Sequence, residues 1–282
     1  MKLTKNISVG IVGGEGKTGQ LFARLFRKLG FHVQVTGKRS AQRNAKLVRE
    51  SDIVIFSLPL NISVATIAKL ASQAKRKDQL FLDLSSLKVE QIKAMKKAKG
   101  EVIGMHPLFS PTTDHQSETV ILCPARAPKA TVQSLQKLLH SMKLKTAVMS
   151  AREHDELMAF VQAIPHFKSL LMAGVLKGLN ADLKRIVRHC TPTYEIEFNV
   201  IGRFLDDVPE LYMPIIFENP ATLRALKYMG RLLNQYIAIA TKRNVQSASR
   251  RYRALKNYFG PLTARARRHS EACIRTLSSL PS

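Results

Sequence analysis

The sequence predicts an α/β protein in two parts, a parallel-sheet domain followed by an all-helical domain. Three observations carry this reading. A β-branched run, Ile7 to Gly13, enters a glycine-rich turn and then an amphipathic helix, Gln20 to Leu29. Short apolar runs with strand character recur as far as Met149. From Ala151 onward such runs cease and the apolar residues follow a helical period. The expected division is residues 1–150 and 151–282. With 282 residues, 45% of them apolar, the chain is long enough for a large core.

The turn reads Gly14-Glu15-Gly16-Lys17-Thr18-Gly19, which fits G-x-G-x-x-G between a strand and a helix. One glycine makes a tight turn, one lets a pyrophosphate approach the backbone, and one lets helix pack on strand. The pyrophosphate then rests on the helix N-terminus. This marks a Rossmann-type dinucleotide-binding domain. The overlapping Gly16-Lys17-Thr18 is the tail of a nucleotide triphosphate loop, but the spacing would need a glycine where Ile11 stands. The next strand, His32 to Thr36, leads into Gly37-Lys38-Arg39-Ser40. An acid there would bind ribose hydroxyls; two cations and a hydroxyl suit a 2′-phosphate, so NADP is preferred over NAD. The expected cofactor-binding residues are Gly14, Gly16, Lys17, Thr18, Gly19, Lys38, Arg39 and Ser40. Ser57 and Pro59 join them at the tip of the buried strand that begins at Asp52.

Leu80 to Leu84 is the next strand, ending at Ser85-Ser86-Leu87-Lys88. Two hydroxyls and a lysine there suit a nicotinamide and a carboxylate, although Ser86 can also cap the helix that follows. A further strand runs through Val102 and Ile103 into Gly104-Met105-His106-Pro107-Leu108-Phe109-Ser110-Pro111. His106 therefore stands at a strand's carboxyl end, where open α/β sheets bind ligands. Thr119 to Cys123 and Thr146 to Met149 read as strands around a helix from Ala130 to Met142.

The helical part opens with a long helix from Ala151 to Leu179, in which Pro165 predicts a kink. His154 beside Asp155 near its start reads as capping or surface structure, and Met158 and Phe160 as packing. A loop near Thr191-Pro192-Thr193 and a segment Tyr194 to Leu205 follow. Helices are then expected over Pro209 to Phe217, Pro220 to Asn244, Ser247 to Tyr258 and Leu262 to Leu277.

Composition excludes several classes. Cys123, Cys190 and Cys273 fit neither a disulfide framework nor a zinc site, and suit a reducing cytosol. No metal site is expected. Apolar runs such as Ser169 to Leu176 are short for a membrane span, and the N-terminus lacks the pattern of a signal peptide. The net charge is +25, and from Pro220 onward 13 Lys or Arg face the single acid Glu271. A solvated basic face is the favoured account, because no nucleic-acid motif accompanies the charge. A non-catalytic nucleotide-binding regulator with nucleic-acid-binding C-terminal helices is the alternative.

These residues resemble the prephenate dehydrogenase family over nearly the whole chain. The carriers are the glycine turn, Asp83-Leu84-Ser85-Ser86-Leu87-Lys88, Gly104 to Phe109, Glu153-His154-Asp155 with Met158-Ala159-Phe160 and His166, and Gly202-Arg203-Phe204 followed by Leu211-Tyr212. The resemblance implies oxidative decarboxylation of prephenate to 4-hydroxyphenylpyruvate with a nicotinamide cofactor, or the same reaction on arogenate. It implies that His106 takes the ring hydroxyl proton, with Ser86 near nicotinamide and substrate. It implies that Arg203 binds a carboxylate, with Lys88, His166 and Tyr212 at or near the substrate. A cytoplasmic homodimer formed through the helical domain is also implied. Glu195, Ser110 and Thr112 depart from the family pattern and bear on substrate choice and tyrosine inhibition. Neither a chorismate mutase domain before Ile7 nor an ACT domain after the helices is expected.

Overall fold

The computed structural model describes residues 6–37 and 41–279. The chain opens with β1 (Ser8–Val12), α1 (Lys17–Lys28), β2 (His32–Thr36), α2 (Ala41–Glu50), β3 (Ile53–Phe56) and α3 (Leu60–Ala71). It continues with β4 (Leu80–Asp83), α4 (Val89–Met95), β5 (Glu101–Pro107), β6 (Thr119–Arg126), α5 (Lys129–Ser141) and β7 (Lys145–Val148). α2 and α3 complete the crossovers that parallel pairing demands. The seven strands lie in the order β2-β1-β3-β4-β5-β6-β7. All neighbours are parallel except β5 and β6, which run antiparallel with His106 opposite Ile121. The carboxyl ends of β1, β3, β4 and β5 therefore share one edge.

Alternation along each strand divides the core between two faces. Val9, Ile11, Ile53, Ile55, Leu80, Leu82, Ile103 and Met105 pack with α1 and α5 on one face. Val12, Val54, Phe56, Phe81 and Val102 pack on the other with residues of α2, α3 and α4. His106 shares the parity of Val102 and Gly104, so the strand's own period aims it at the second face. α1 buries Leu21, Phe22, Leu25 and Phe26, the stripe that its amphipathic spacing requires.

The rest of the described chain forms helices: α6 (Ala151–Met158), a π-helical turn (Ala159–Ala163), α7 (Ile164–Gly178), α8 (Leu183–Arg188) and α9 (Pro192–Asp206), then α10 (Pro209–Phe217), α11 (Pro220–Thr241), α12 (Val245–Phe259) and α13 (Leu262–Ser278). The irregularity expected at Pro165 is the π-helical turn just before it, a common way to accommodate a break in the hydrogen-bond ladder. The helical run Ala151–Gly178 is, by length and composition, apolar enough to cross a membrane. Its separate apolar runs are short, but the wide turn joins two helices into one. The first of these is packed within the α/β unit, with His154, Asp155 and Met158 buried.

The boundary between the two compact units differs from the expected one. The first unit runs to Gln162 and takes in Glu210–Ala221; the second comprises Ala163–Pro209 and the chain from Thr222. α6 thus belongs with the sheet, because its buried face closes the second core. In the second unit α7 packs on α9, and α13 packs on both α9 and α12.

Gly104 has a packing reason to be glycine. A Cβ there would stand 2.9 Å from both Lys88 Cδ and Ile92 Cδ1. Gly104→Ala is expected to lower stability by about 1–3 kcal/mol through overpacking, measured as a lower urea midpoint at unchanged slope.

Candidate active site

The glycine turn has the shape of a phosphate cradle. Gly13 makes the tight turn at φ +80°, and Gly13 and Gly14 donate their N–H groups to Thr36 O at 2.9 Å. A Cβ on Gly14 would lie 2.7 Å from Val35 Cβ, and one on Gly19 would lie 2.7 Å from Gly13 O. Gly14 and Gly19 therefore serve close packing. At Gly16 the nearest atom to such a Cβ is Gly13 O at 3.4 Å. Gly16 is also the N-cap of α1, so the helix's first N–H groups face open space where an anion fits. Lys17 and Thr18 occupy the first turn of α1. Ser57 lies against the turn: its N–H donates to Val12 O at 2.8 Å, and a Cβ on Gly13 would meet its carbonyl oxygen at 2.1 Å. Pro59 is the N-cap of α3. These groups fit the diphosphate of a dinucleotide. Lys38, Arg39 and Ser40 lie outside the described residues. The Glu15 carboxylate stands beside Gly37, where a Cβ would come 1.7 Å from Oε2.

His106 stands one residue from the end of β5 and is 2% exposed. Its Nδ1 lies 2.8 Å from His154 Nε2, and the two rings meet edge to face. His154, fully buried, places Nδ1 2.7 Å from Asp155 Oδ1. Asp155 reaches from α6 to the start of α4. Its Oδ1 accepts Lys88 N–H at 2.8 Å and its Oδ2 accepts Val89 N–H at 3.0 Å. α4 has no side-chain cap of its own, so Asp155 supplies acceptors for its unpaired donors. Asn219 Nδ2 donates to Asp155 O at 2.7 Å. On the other side of His106, Gln162 Nε2 stands 3.4 Å from its Nε2. Gln162 Oε1 is buried and has no partner among the described residues.

Lys88 is placed differently from the expected substrate contact. It is fully buried, and its ammonium pairs with the Asp83 carboxylate and donates to Met105 O at 2.8 Å. Ser85 Oγ also bonds the Asp83 carboxylate and donates to Leu87 O at 3.1 Å. Lys88 thus braces the ends of β4 and β5 from within. Ser86 is the half-buried hydroxyl of the pair, and it does not cap α4. Burial is the largest influence on His106 and pushes its pKa well below 6.5, with the charges of His154 and Lys88 acting in the same direction.

In the second unit, Arg203 lies exposed in the last turn of α9. His166 stacks on Phe204 at 5.9 Å between centroids. Burial first, and then the Arg203 charge, lower the His166 pKa. Glu197 pairs with Lys168 at 3.2 Å. Glu195 is exposed. Tyr212, which belongs to the first unit, lies half-buried on α10. Ser110 and Thr112 bond each other at 2.8 Å in the loop after β5.

Two family models match the chain. One described as "Prephenate dehydrogenase, nucleotide-binding domain" covers residues 22–148, and one described as "Prephenate dehydrogenase, dimerization domain" covers residues 150–255. The chain belongs to the prephenate dehydrogenase family. The T-protein of Enterobacter agglomerans is 28% identical over 268 residues, covering 94% of this chain and 71% of that protein. A probable arogenate/prephenate dehydrogenase of Methanocaldococcus jannaschii is 27% identical over 294 residues, covering 97% of this chain and 66% of that protein. The fold is similar to that of prephenate dehydrogenase from A. aeolicus in complex with hydroxyphenyl propionate and NAD+. That likeness has TM-score 0.72 at 19% identity and covers 92% of this chain and 98% of the other. The two family models meet at about residue 149.

Sequence reasoning missed His154, Asp155, Gln162 and Gly13. His154 was expected at a surface or cap and is fully buried beside His106. The available signal was its spacing: His154 and Met158 are four apart and share the buried stripe of α6. Phe160, expected to pack, is 67% exposed. The buried Lys88–Asp83 pair predicts a non-additive mutant series. Lys88→Met should cost about 3–5 kcal/mol because it leaves a buried carboxylate uncompensated. Adding Asp83→Leu should return most of that loss, as read by urea denaturation of the single and double variants.

Proposed function

We propose that this chain is a prephenate dehydrogenase of tyrosine biosynthesis, converting prephenate to 4-hydroxyphenylpyruvate and CO2. The single observation that carries the reading is His106: a buried imidazole, held neutral, at the carboxyl edge of a sheet that also bears the glycine cradle. NAD(P) supplies the hydride acceptor when bound. His106 Nε2 takes the proton of the ring hydroxyl as the C–H bond gives up its hydride. The electron pair of the breaking C–CO2 bond enters the ring, which becomes aromatic, and His106 returns the proton to the phenolic oxygen. Ser86 orients the reacting groups. Arg203 binds a substrate carboxylate with its two-pronged guanidinium. His166 and Tyr212 contribute to the substrate pocket, and Lys88 supports the site from beneath.

The cofactor reading favours NADP. Lys38 and Arg39 bring two positive charges after β2, against the one carboxylate that Glu15 sets beside Gly37. The chain acts as a homodimer in the cytoplasm. Support comes from the matched dimerization domain and from apolar side chains that the single chain leaves exposed, among them Val175, Leu233 and Ile237. The net charge of +25 draws in a dianionic substrate, a steering effect that salt screens.

The decisive assay follows NAD(P)H formation with prephenate and with arogenate, using each cofactor. Absence of turnover with both substrates would overturn the reading. His106→Asn should lower kcat by about 10²–10⁴-fold, the span of a general base, with cofactor affinity retained. Arg203→Gln should chiefly raise KM for the substrate. The base acts only when unprotonated, and its pKa is lowered. Activity should therefore persist on acidification past pH 6.5, with the acid limb of kcat/KM lying below that value.

A further inference from the structure

Asp155, His154 and His106 form a chain of hydrogen bonds whose direction can be read from its far end. Both Asp155 oxygens accept backbone N–H donors, from Lys88 at 2.8 Å and Val89 at 3.0 Å. A backbone N–H can only donate, and the start of a helix favours negative charge. Asp155 is therefore an acceptor toward His154 as well, and His154 Nδ1 carries the hydrogen that fills the 2.7 Å contact. A neutral imidazole that donates through Nδ1 has only a lone pair on Nε2. His106 Nδ1, 2.8 Å from that lone pair, must then donate. That leaves the lone pair of His106 on Nε2. The amide nitrogen of Gln162, 3.4 Å from Nε2, faces it as a donor faces an acceptor.

We propose that His154 and Asp155 are positioning residues that hold His106 in its Nδ1–H tautomer, so that Nε2 is the atom that takes the substrate proton. This deepens the reading of His106 as the base and rests on it. When Nε2 is protonated, the bond from His106 Nδ1–H to His154 becomes charge-assisted and strengthens. The positive charge created at the reacting edge is then one imidazole away from a carboxylate. No bond breaks within the relay: the proton gained at Nε2 leaves by the same nitrogen. The other groups near His106 are compatible with this. Lys88 from the β4–α4 turn is paired with Asp83. The Cys123 thiol on β6 is pushed up to about 12 by burial and stays neutral. Glu153, the acid neighbouring His154 on α6, is taken up by the Ser150 capping box.

Three substitutions separate positioning from mere packing. His154→Leu removes the acceptor and should lower kcat by about 10²-fold or more, with both KM values within about threefold. His154→Gln restores an acceptor oxygen and should recover most of that loss. In Asp155→Asn the Oδ1 position meets both Lys88 N–H and His154. An amide oxygen there keeps the tautomer without the charge, and an amide nitrogen there reverses the chain but gives up the Lys88 bond. The loss of kcat should therefore stay at or below that of a catalytic histidine held in the wrong tautomer, about 10⁴-fold. The direct readout is nitrogen NMR of 15N-histidine-labelled protein near neutral pH, with the His106 signals assigned by His106→Asn. The expected result is a protonated Nδ1 and a bare Nε2 in the parent chain, with that preference lost in His154→Leu. A parent His106 protonated at Nε2, or a His154→Leu kcat within threefold of the parent, would overturn the proposal. The NMR result does not depend on the substrate, so a parent inactive on prephenate and arogenate would sink the functional reading alone.

Discussion

The carboxylate of Asp155 joins the pieces on which the site depends. It accepts the N–H groups of Lys88 and Val89, the opening donors of a helix with no side-chain cap of its own. It bonds His154 through one of the same oxygens. Its backbone oxygen receives Asn219 from the α10–α11 junction. One residue on α6 thus sets the turn after β4, the imidazole partner of His106 and the return of α10 to the first unit. The chain from 151 reads as the start of a helical domain, yet these bonds place α6 in the α/β unit.

A second constraint lies beneath the site. Lys88 passes over Gly104 to reach Asp83 and the carbonyl of Met105, fully withdrawn from solvent. The pair ties the tips of β4 and β5 together next to His106. Burial of a charge is costly unless it is paired and hydrogen-bonded, which is why Ser85 also turns to Asp83. The same burial disfavours a protonated His106, so the surroundings that make the core stable also keep its imidazole neutral.

Much of the fold was legible because its signals are local. Strand one, the glycine turn and α1 announce themselves through β-branching, missing side chains and a 3.6-residue stripe. His106 was legible because an apolar run ends at it before two prolines. His154 was not, since a histidine near a helix start is an ordinary surface residue until the opposite strand is in place. Lys88 was misread for a related reason: a lysine at a strand tip suggests an anion site, and only the packing over Gly104 turns it inward.

The sequence by itself determined the order of the strands up to residue 149, the helices α1 and α5, the glycine cradle, the placing of a histidine at a strand's carboxyl end and the net charge of +25. Those features depend on neighbours along the chain, and backbone periodicity and glycine chemistry act at that range. Only the tertiary structure decided which side chains meet. His106, His154 and Asp155 are joined across 48 residues and a strand-to-helix packing. Asp155 caps a helix 66 residues away. Hydrogen-bond direction in a buried chain is a property of all its members at once, so it becomes readable only when the sheet, α4 and α6 have been brought together.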